Sequence, residues 1–193
     1  MEISIRNDIE SCVYDLIKLI GDDPNREGLA ETPERVARMY KELFWGYNKK
    51  KVPKVTKVKN GSDGVLCRGM LIDKGTFFST CEHHMVTFFG FYFFAYIPDE
   101  WVAGASKIGR TVDYFSARLQ IQERIAVQVL DRLESELKPK GSIILLQARH
   151  LCKEMRGVKK FDSPYSYVET RGLFDTNDSG CKDEFLARIG VTL

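Results

Sequence analysis

The chain has 193 residues, enough for one domain with a proper core and no need of covalent staples. Its 29 basic and 27 acidic residues leave a formal charge of +2, which is poor footing for a nucleic-acid-binding role. Five cysteines at scattered spacing do not make a secreted disulfide framework, and Met1 to Asp8 shows no basic segment followed by a long apolar run, so the expectation is a cytoplasmic protein with no membrane partner.

In chain order, Ile5, Ile9, Cys12, Val13, Leu16, Ile17 and Ile20 recur at helical spacing, and Gly21 closes that segment. Thr32-Pro33-Glu34 offers an N-cap, a first-turn proline and an early acid, after which Val36, Met39, Tyr40, Leu43 and Phe44 predict a second helix to about Trp45. The lysine-rich run from Asn48 to Lys59, broken by Pro53, reads as an exposed connector or edge strand. Strand character begins at Gly64: Leu66 to Phe78 and Met85 to Ile97 predict two long antiparallel strands, the second stopped by Pro98-Asp99.

Gln120 to Leu137 places Ile121, Ile125, Val129, Leu133 and Leu137 on one side of a helix that Pro139-Lys140-Gly141 ends. A strand from Ser142 to about His150, another from Ser163 to Phe174 and a short helix from Asp178 to Ile189 complete the chain. The pattern is α+β, built on an antiparallel sheet. It divides into an N-terminal helical region, 1–60, and one continuous region, 61–193.

All three histidines and two of the cysteines fall in Cys81-Glu82-His83-His84 and His150-Leu151-Cys152. Buried apolar thiols, a disulfide pair or a solvated histidine pair are the plain alternatives, but the co-location favours a metal. Zinc takes thiolate sulfur and imidazole nitrogen tetrahedrally, and a catalytic zinc keeps three protein ligands and an open fourth position. Cys81, His84 and Cys152 would supply that set. A closed structural site is the weaker variant, because paired Cys-x-x-Cys knuckles are absent. His83 and His150 would remain beside the metal as proton carriers, which is a hydrolase arrangement. Cys12, Cys67 and Cys181 have no histidine nearby and read as packing residues or free thiols.

Ser79-Thr80-Cys81-Glu82-His83-His84, Gly104-Ala105-Ser106-Lys107-Ile108-Gly109-Arg110, Gln120-Ile121-Gln122-Glu123-Arg124 and His150-Leu151-Cys152-Lys153-Glu154-Met155-Arg156-Gly157-Val158 resemble, in order and spacing, GTP cyclohydrolase I. Asp23-Pro24-Asn25-Arg26-Glu27-Gly28-Leu29 and Glu31-Thr32-Pro33-Glu34-Arg35-Val36 are similar to that family too. The resemblance implies a tunnelling fold, an antiparallel sheet with helices packed on one side, assembling into a toroidal homo-oligomer, commonly a decamer of two pentamers with active sites between subunits. It implies hydrolysis of GTP at C8, release of formate and closure of a second ring, giving 7,8-dihydroneopterin triphosphate. The run Phe88 to Phe94 agrees with subunit burial, having more apolar surface than one small sheet face needs.

By the same resemblance Cys81, His84 and Cys152 hold Zn2+, which makes water nucleophilic near neutral pH. His83 protonates the imidazole ring of the purine, and His150 assists ring opening and the ribose steps. On an extended strand His83 and His84 would point to opposite faces, so a turn or bulge must aim both inward. Glu123 is the candidate guanine anchor, since a carboxylate accepts in parallel from N1 and the 2-amino group, with Gln122 adding a contact. The plain alternative for Glu123 is an acid in an exposed first helical turn. Glu82 would orient the site or pair with a base. Ser106, Lys107, Arg110 and Arg156 match phosphate-binding positions, and Arg35 and Arg38 are further candidates that could reach a neighbouring subunit's site.

The chain departs from the family's usual pattern at Phe91, at Leu119 and across Tyr165-Ser166-Tyr167-Val168, the last replacing a stretch usually rich in threonine. The tyrosines could alter a wall of the site. Rival readings are another tunnelling-fold enzyme acting on pterin or deazapurine substrates, and a zinc-stabilised module that binds GTP without turnover.

Overall fold

The computed structural model describes residues 5–176 and 180–190; Met1 to Ser4, within the stretch read for a leader, and Asp178, the expected start of the last helix, lie outside the described residues. The two N-terminal stripes fold as α1 (Ile5–Leu19) and α2 (Thr32–Leu43). Pro33 sits in the first turn of α2, where no intrahelical partner awaits its missing N–H. Phe44 bonds back to the Tyr40 carbonyl and the chain tightens into a 3₁₀ turn at Trp45–Tyr47, which ends the helix ahead of the expected Trp45. The chain divides into two compact units, the first ending at Trp45 and the second beginning at Gly46.

The second unit runs β1 (Lys57–Lys59), β2 (Leu71–Cys81), β3 (Thr87–Ile97), β4 (Trp101–Ala103), α3 (Ser106–Ser116), β5 (Leu119–Gln120), α4 (Gln122–Leu137), β6 (Gly141–His150), α5 (Leu151–Glu154), β7 (Tyr165–Gly172) and α6 (Cys181–Ile189). β1 and β4 pair as a small antiparallel ribbon, so part of the lysine-rich connector is an edge strand. The other strands form one sheet in the order β5-β2-β3-β6-β7, antiparallel except for the short parallel pair of β2 and β5.

Register explains where the strands depart from the reading of the sequence. Leu71 pairs with Tyr96, next to the residue where β3 stops before Pro98, so residues ahead of Leu71 have no ladder partner and the strand does not begin at Leu66. Likewise β7 pairs Gly172 with Gly141, the first residue of β6, and does not continue to Phe174. α4 starts at Gln122 because Leu119 and Gln120 are extended, paired with Thr80 and Cys81. α3, β4, β5 and the single turn of α5 are additional to the elements expected.

Alternation along β6 sends Ile144 and Leu146 to one face and Ile143 and Leu145 to the other, all fully buried. On the first face, Phe77, Phe88, Phe94, Ile144 and Leu146 pack with Ile108 and Val112 of α3 and with Ile125, Val129, Leu133 and Leu137 of α4. Each such side chain contributes roughly 1.5–3 kcal/mol by leaving water. The second face is covered at one end by Phe174 and by Phe185, Leu186 and Ile189 of α6. Helices therefore lie on both faces of the sheet, and not on one only as the resemblance implies. Ile143 and Leu145 are the reason, since they need cover of their own. Elsewhere on that face Phe78 and Phe91 stay 65% and 54% exposed, an apolar strip with no cover from the described residues. Among these residues no helix is long and apolar enough to cross a membrane.

Candidate metal centre

β2 ends at Cys81 and β3 begins at Thr87, and the six-residue reach from Cys81 to Val86 is closed by backbone bonds from Cys81 N–H to Val86 O and from Met85 N–H to Cys81 O. Glu82, His83 and His84 form the turn, and Met85 takes the left-handed conformation at φ 54° that lets it close. The turn removes the strand alternation that would have separated the two histidines. His83 Nδ1 lies 3.8 Å and His84 Nδ1 3.9 Å from the Cys81 sulfur.

The third donor arrives from the far side of β3. Phe88 faces His150 in the β3–β6 register, so the end of β6 lies beside the Cys81 turn, and α5 brings Cys152 round to it. Donor atoms of Cys81, His84 and Cys152 all lie within 4.8 Å of one another. Two zinc–ligand bonds at a tetrahedral angle would put sulfur and nitrogen about 3.6 Å apart, so the set needs little adjustment to close on an ion. The electrostatics agree. Burial and the neighbouring Cys81 sulfur push the Cys152 thiol up, and a divalent cation is the partner that reverses that sign and holds both thiols as thiolates. All five cysteines are free, so the disulfide alternative is not formed.

His150 is half-buried, and burial holds its imidazole below the ordinary histidine range. Its Nε2 lies 2.8 Å from Gln122 Oε1. Gln122 is 1% exposed, and its Nε2 donates to the carbonyls of Leu146 (2.8 Å) and Tyr165 (3.0 Å). Both amide hydrogens are thus committed, which fixes the amide orientation and makes Oε1 an acceptor only. The neutral His150 ring must donate from Nε2, leaving Nδ1 as the nitrogen that can take a proton. Gln122, expected to add a contact to the base, has both amide hydrogens engaged within the protein and its Oε1 against His150.

Glu123 follows in the first turn of α4, half-buried, with Oε1 receiving the Tyr165 hydroxyl at 3.0 Å. Glu82 is gripped by Arg124 through two bonds, 2.5 Å and 3.1 Å, and that guanidinium holds the Glu82 carboxyl below its usual range. The pair ties the histidine turn to α4. Arg149 makes a similar fork onto Glu154 while its guanidinium lies over Phe161, bracing the segment that carries His150 and Cys152. Sequence reasoning missed Arg124, Arg149 and Phe88 as contributors, and it placed Tyr165 at a wall of the site without its partner Glu123. Arg124 was visible as the end of a quoted motif, whereas the others depend on strand pairing.

Ser106, Lys107 and Arg110 stand in the first turn and a half of α3, Ser106 and Arg110 exposed and Lys107 half-buried. The N-cap position is Ala105, which has no side chain able to cap, so the end of the helix keeps its positive pole. Arg156 is exposed just beyond α5. Arg35 and Arg38 belong to the other compact unit, where each pairs with the glutamate one turn earlier, Glu31 at 2.5 Å and Glu34 at 2.9 Å.

Comparison with known proteins gives a consistent result. The family model for GTP cyclohydrolase I matches residues 9–190. GTP cyclohydrolase 1 of Clostridium kluyveri is 45% identical over 170 residues, which cover 87% of this chain and 89% of that protein. GTP cyclohydrolase 1 of Streptococcus mutans serotype c is 42% identical over 190 residues, 97% of this chain and 96% of its own. Among solved structures, the archaeosine synthase QueF-Like in the apo form is similar over 53% of this chain and 93% of that one, with 17% identity and a TM-score of 0.44.

Proposed function

The chain belongs to the GTP cyclohydrolase I family, and from that premise we propose that it converts GTP and water to formate and 7,8-dihydroneopterin triphosphate at the Cys81, His84 and Cys152 centre, with zinc as the metal. The observation that carries the reading is the meeting of three metal donors within 4.8 Å. Zinc held there supplies Lewis acidity, by which water becomes nucleophilic near neutral pH.

The protein's own residues account for the rest. Glu123 accepts from N1 and the 2-amino group of guanine, a donor pair that adenine lacks, and so turns C8 toward the metal centre. His83, beside Cys81, gives a proton to the imidazole ring of the purine as the ring opens. His150 takes and returns protons through Nδ1, the nitrogen left free by Gln122, during ring opening and the ribose steps. Ser106, Lys107 and Arg110 at the head of α3, with Arg156, receive the triphosphate, because a helix N-terminus and several cations suit its charge. The proposal extends to Arg35 and Arg38 as contacts to a neighbouring subunit's site, for which they would have to leave Glu31 and Glu34. Glu82, bound by Arg124, holds the histidine turn in place.

The open face of the sheet supports assembly. Phe78 stacks on Phe89 with centroids 5.6 Å apart, and with Phe91 forms the uncovered strip, a surface suited to burial between copies in a tunnelling-fold ring such as the decamer of two pentamers. A cytoplasmic setting suits the free thiols.

The test is to incubate zinc-loaded protein with GTP and follow formate and pterin in the same sample. Both appearing supports the full reaction. Formate alone means that the ribose rearrangement is lost, and neither appearing with zinc still bound turns the reading to a GTP-binding module.

A further inference from the structure

We infer that Tyr165 sets the discrimination between guanine and related purines, by holding the Glu123 carboxylate in the orientation that reads the guanine edge. The inference rests on the reading of Glu123 as the guanine anchor.

Tyr165 touches three parts of the candidate site at once. Its backbone lies in the sheet opposite Ala148, and its carbonyl receives one of the Gln122 amide hydrogens. Its ring stands edge-on to His150, centroids 6.1 Å apart and planes at 86°. Its hydroxyl donates to Glu123 Oε1 at 3.0 Å. The residue is 46% exposed, so it does not fill the core, and its hydroxyl could have been satisfied by water. The bond to Glu123 is therefore not forced by burial. The adjacent carboxylate holds the phenol above its ordinary range, which keeps it a donor.

A glutamate in the first turn of a helix has several open rotamers. An ionised carboxylate has about four acceptor sites, so the phenol can take one on Oε1 and still leave a parallel pair for N1–H and the 2-amino group. Tyr165 thus removes rotamer freedom without using the recognition surface. A carboxylate held as a fork loses one of its two bonds when the base is hypoxanthine, which has N1–H but no 2-amino group. A carboxylate free to swing would adapt to the single donor and lose less. Tyrosine at this position is a departure from the threonine-rich pattern the family resemblance leads one to expect, and its reach across to α4 is what the longer side chain adds.

The experiment compares zinc-loaded wild type with Tyr165→Phe, which keeps the ring and removes only the hydroxyl, using GTP and ITP as substrates. The expected result is a KM for GTP raised about five- to tenfold with kcat within about twofold, as for loss of one positioning hydrogen bond of ordinary strength. The ratio of kcat/KM for GTP over ITP should fall by a similar factor. That ratio is insensitive to the fraction of active protein, so partial misfolding cannot mimic the effect. Glu123→Gln, tested for GTP binding by equilibrium titration, separates the two readings. If that variant binds GTP as well as wild type, the anchor reading falls and this inference with it. If it binds weakly while Tyr165→Phe leaves both KM and the GTP/ITP ratio unchanged, the anchor stands and the role of Tyr165 is overturned. A fall in kcat alone in Tyr165→Phe would also overturn it, since the tyrosine would then act through His150.

Discussion

The imidazole of His150 lies flat on the phenyl ring of Phe88, with centroids 4.6 Å apart and planes 4° apart. The two residues are paired across the β3–β6 register, so the stack is built by the sheet and does not depend on a loop. Phe88 is fully buried, which makes it a fixed platform for the proposed proton carrier. Replacement by leucine keeps an apolar core residue but removes the plane. Phe88→Leu should lower kcat about tenfold with little change in KM, a part of the roughly 10²–10⁴ that a positioned acid–base group supplies. Steady-state kinetics on GTP check this, and an unchanged kcat would show that the stack does not position His150.

Gln122→Leu should act on the same ring from the other side. Removing the amide leaves the carbonyls of Leu146 and Tyr165 without this donor and frees His150 Nε2, at a cost of about 1–3 kcal/mol for an unsatisfied buried group. In wild type, nitrogen-15 NMR of the His150 ring should show the neutral form protonated at Nε2. The variant should show a mixture of tautomers and a lower kcat. A wild-type ring protonated at Nδ1 would contradict the assignment.

Metal content and turnover should part company between neighbouring histidines. His84→Ser and Cys152→Ser should lose bound zinc, measured by elemental analysis of the purified protein. His83→Ser should retain zinc and GTP binding while formate release falls by about 10²–10⁴, the range for loss of a general acid or base. Loss of zinc in His83→Ser together with its retention in His84→Ser would exchange the two roles.

Glu169 gives a pH dependence away from the metal. Burial works to raise its carboxyl, but hydrogen bonds from Tyr167 and Arg171 prevail and bring it below its ordinary value of 4.5. The same contact pushes the Tyr167 phenol up to about 12. Because the acid binds its proton more weakly in the fold than in the unfolded chain, its contribution is complete above about pH 4.5 and is lost as pH falls through the lower folded value. Glu169→Gln should therefore cost about 1 kcal/mol at neutral pH and progressively less below pH 4.5. Urea unfolding at several pH values measures the difference, and a gap that widens in acid would reverse the sign.

Much of this architecture can be read from residue types alone, and the reason is chemical scarcity. Histidine and cysteine are few here, so Cys81, His84 and Cys152 stand out before any fold is known. The long helix was equally plain, because Ile125, Val129, Leu133 and Leu137 repeat every fourth residue. α3 carries a comparable stripe in Ile108, Thr111, Val112 and Phe115, but it is short and follows closely on a β segment, and it went unread. The part played by Gln122 was not legible, because a glutamine ahead of Glu123-Arg124 looks like a solvated helical turn. Only the convergence of β6, β7 and α4 buries it. Tyr165 is a similar case, since its partner on α4 is 42 residues away in the chain.

The short parallel pairing of β5 with β2 reaches beyond the residues it bonds. Thr80 and Cys81 are laid against Leu119 and Gln120, and the Glu82 N–H bonds the Gln120 carbonyl. Cys81, the first of the three clustered donors, and α4, which carries Glu123, are thereby joined by main-chain bonds a few residues from each. The separation between them is written in backbone geometry, which side-chain motion cannot stretch. Such a device works as a ruler. With Glu123 as the proposed guanine anchor, a heterocycle whose C8 and amino edge lie at another spacing would satisfy one end of it but not both.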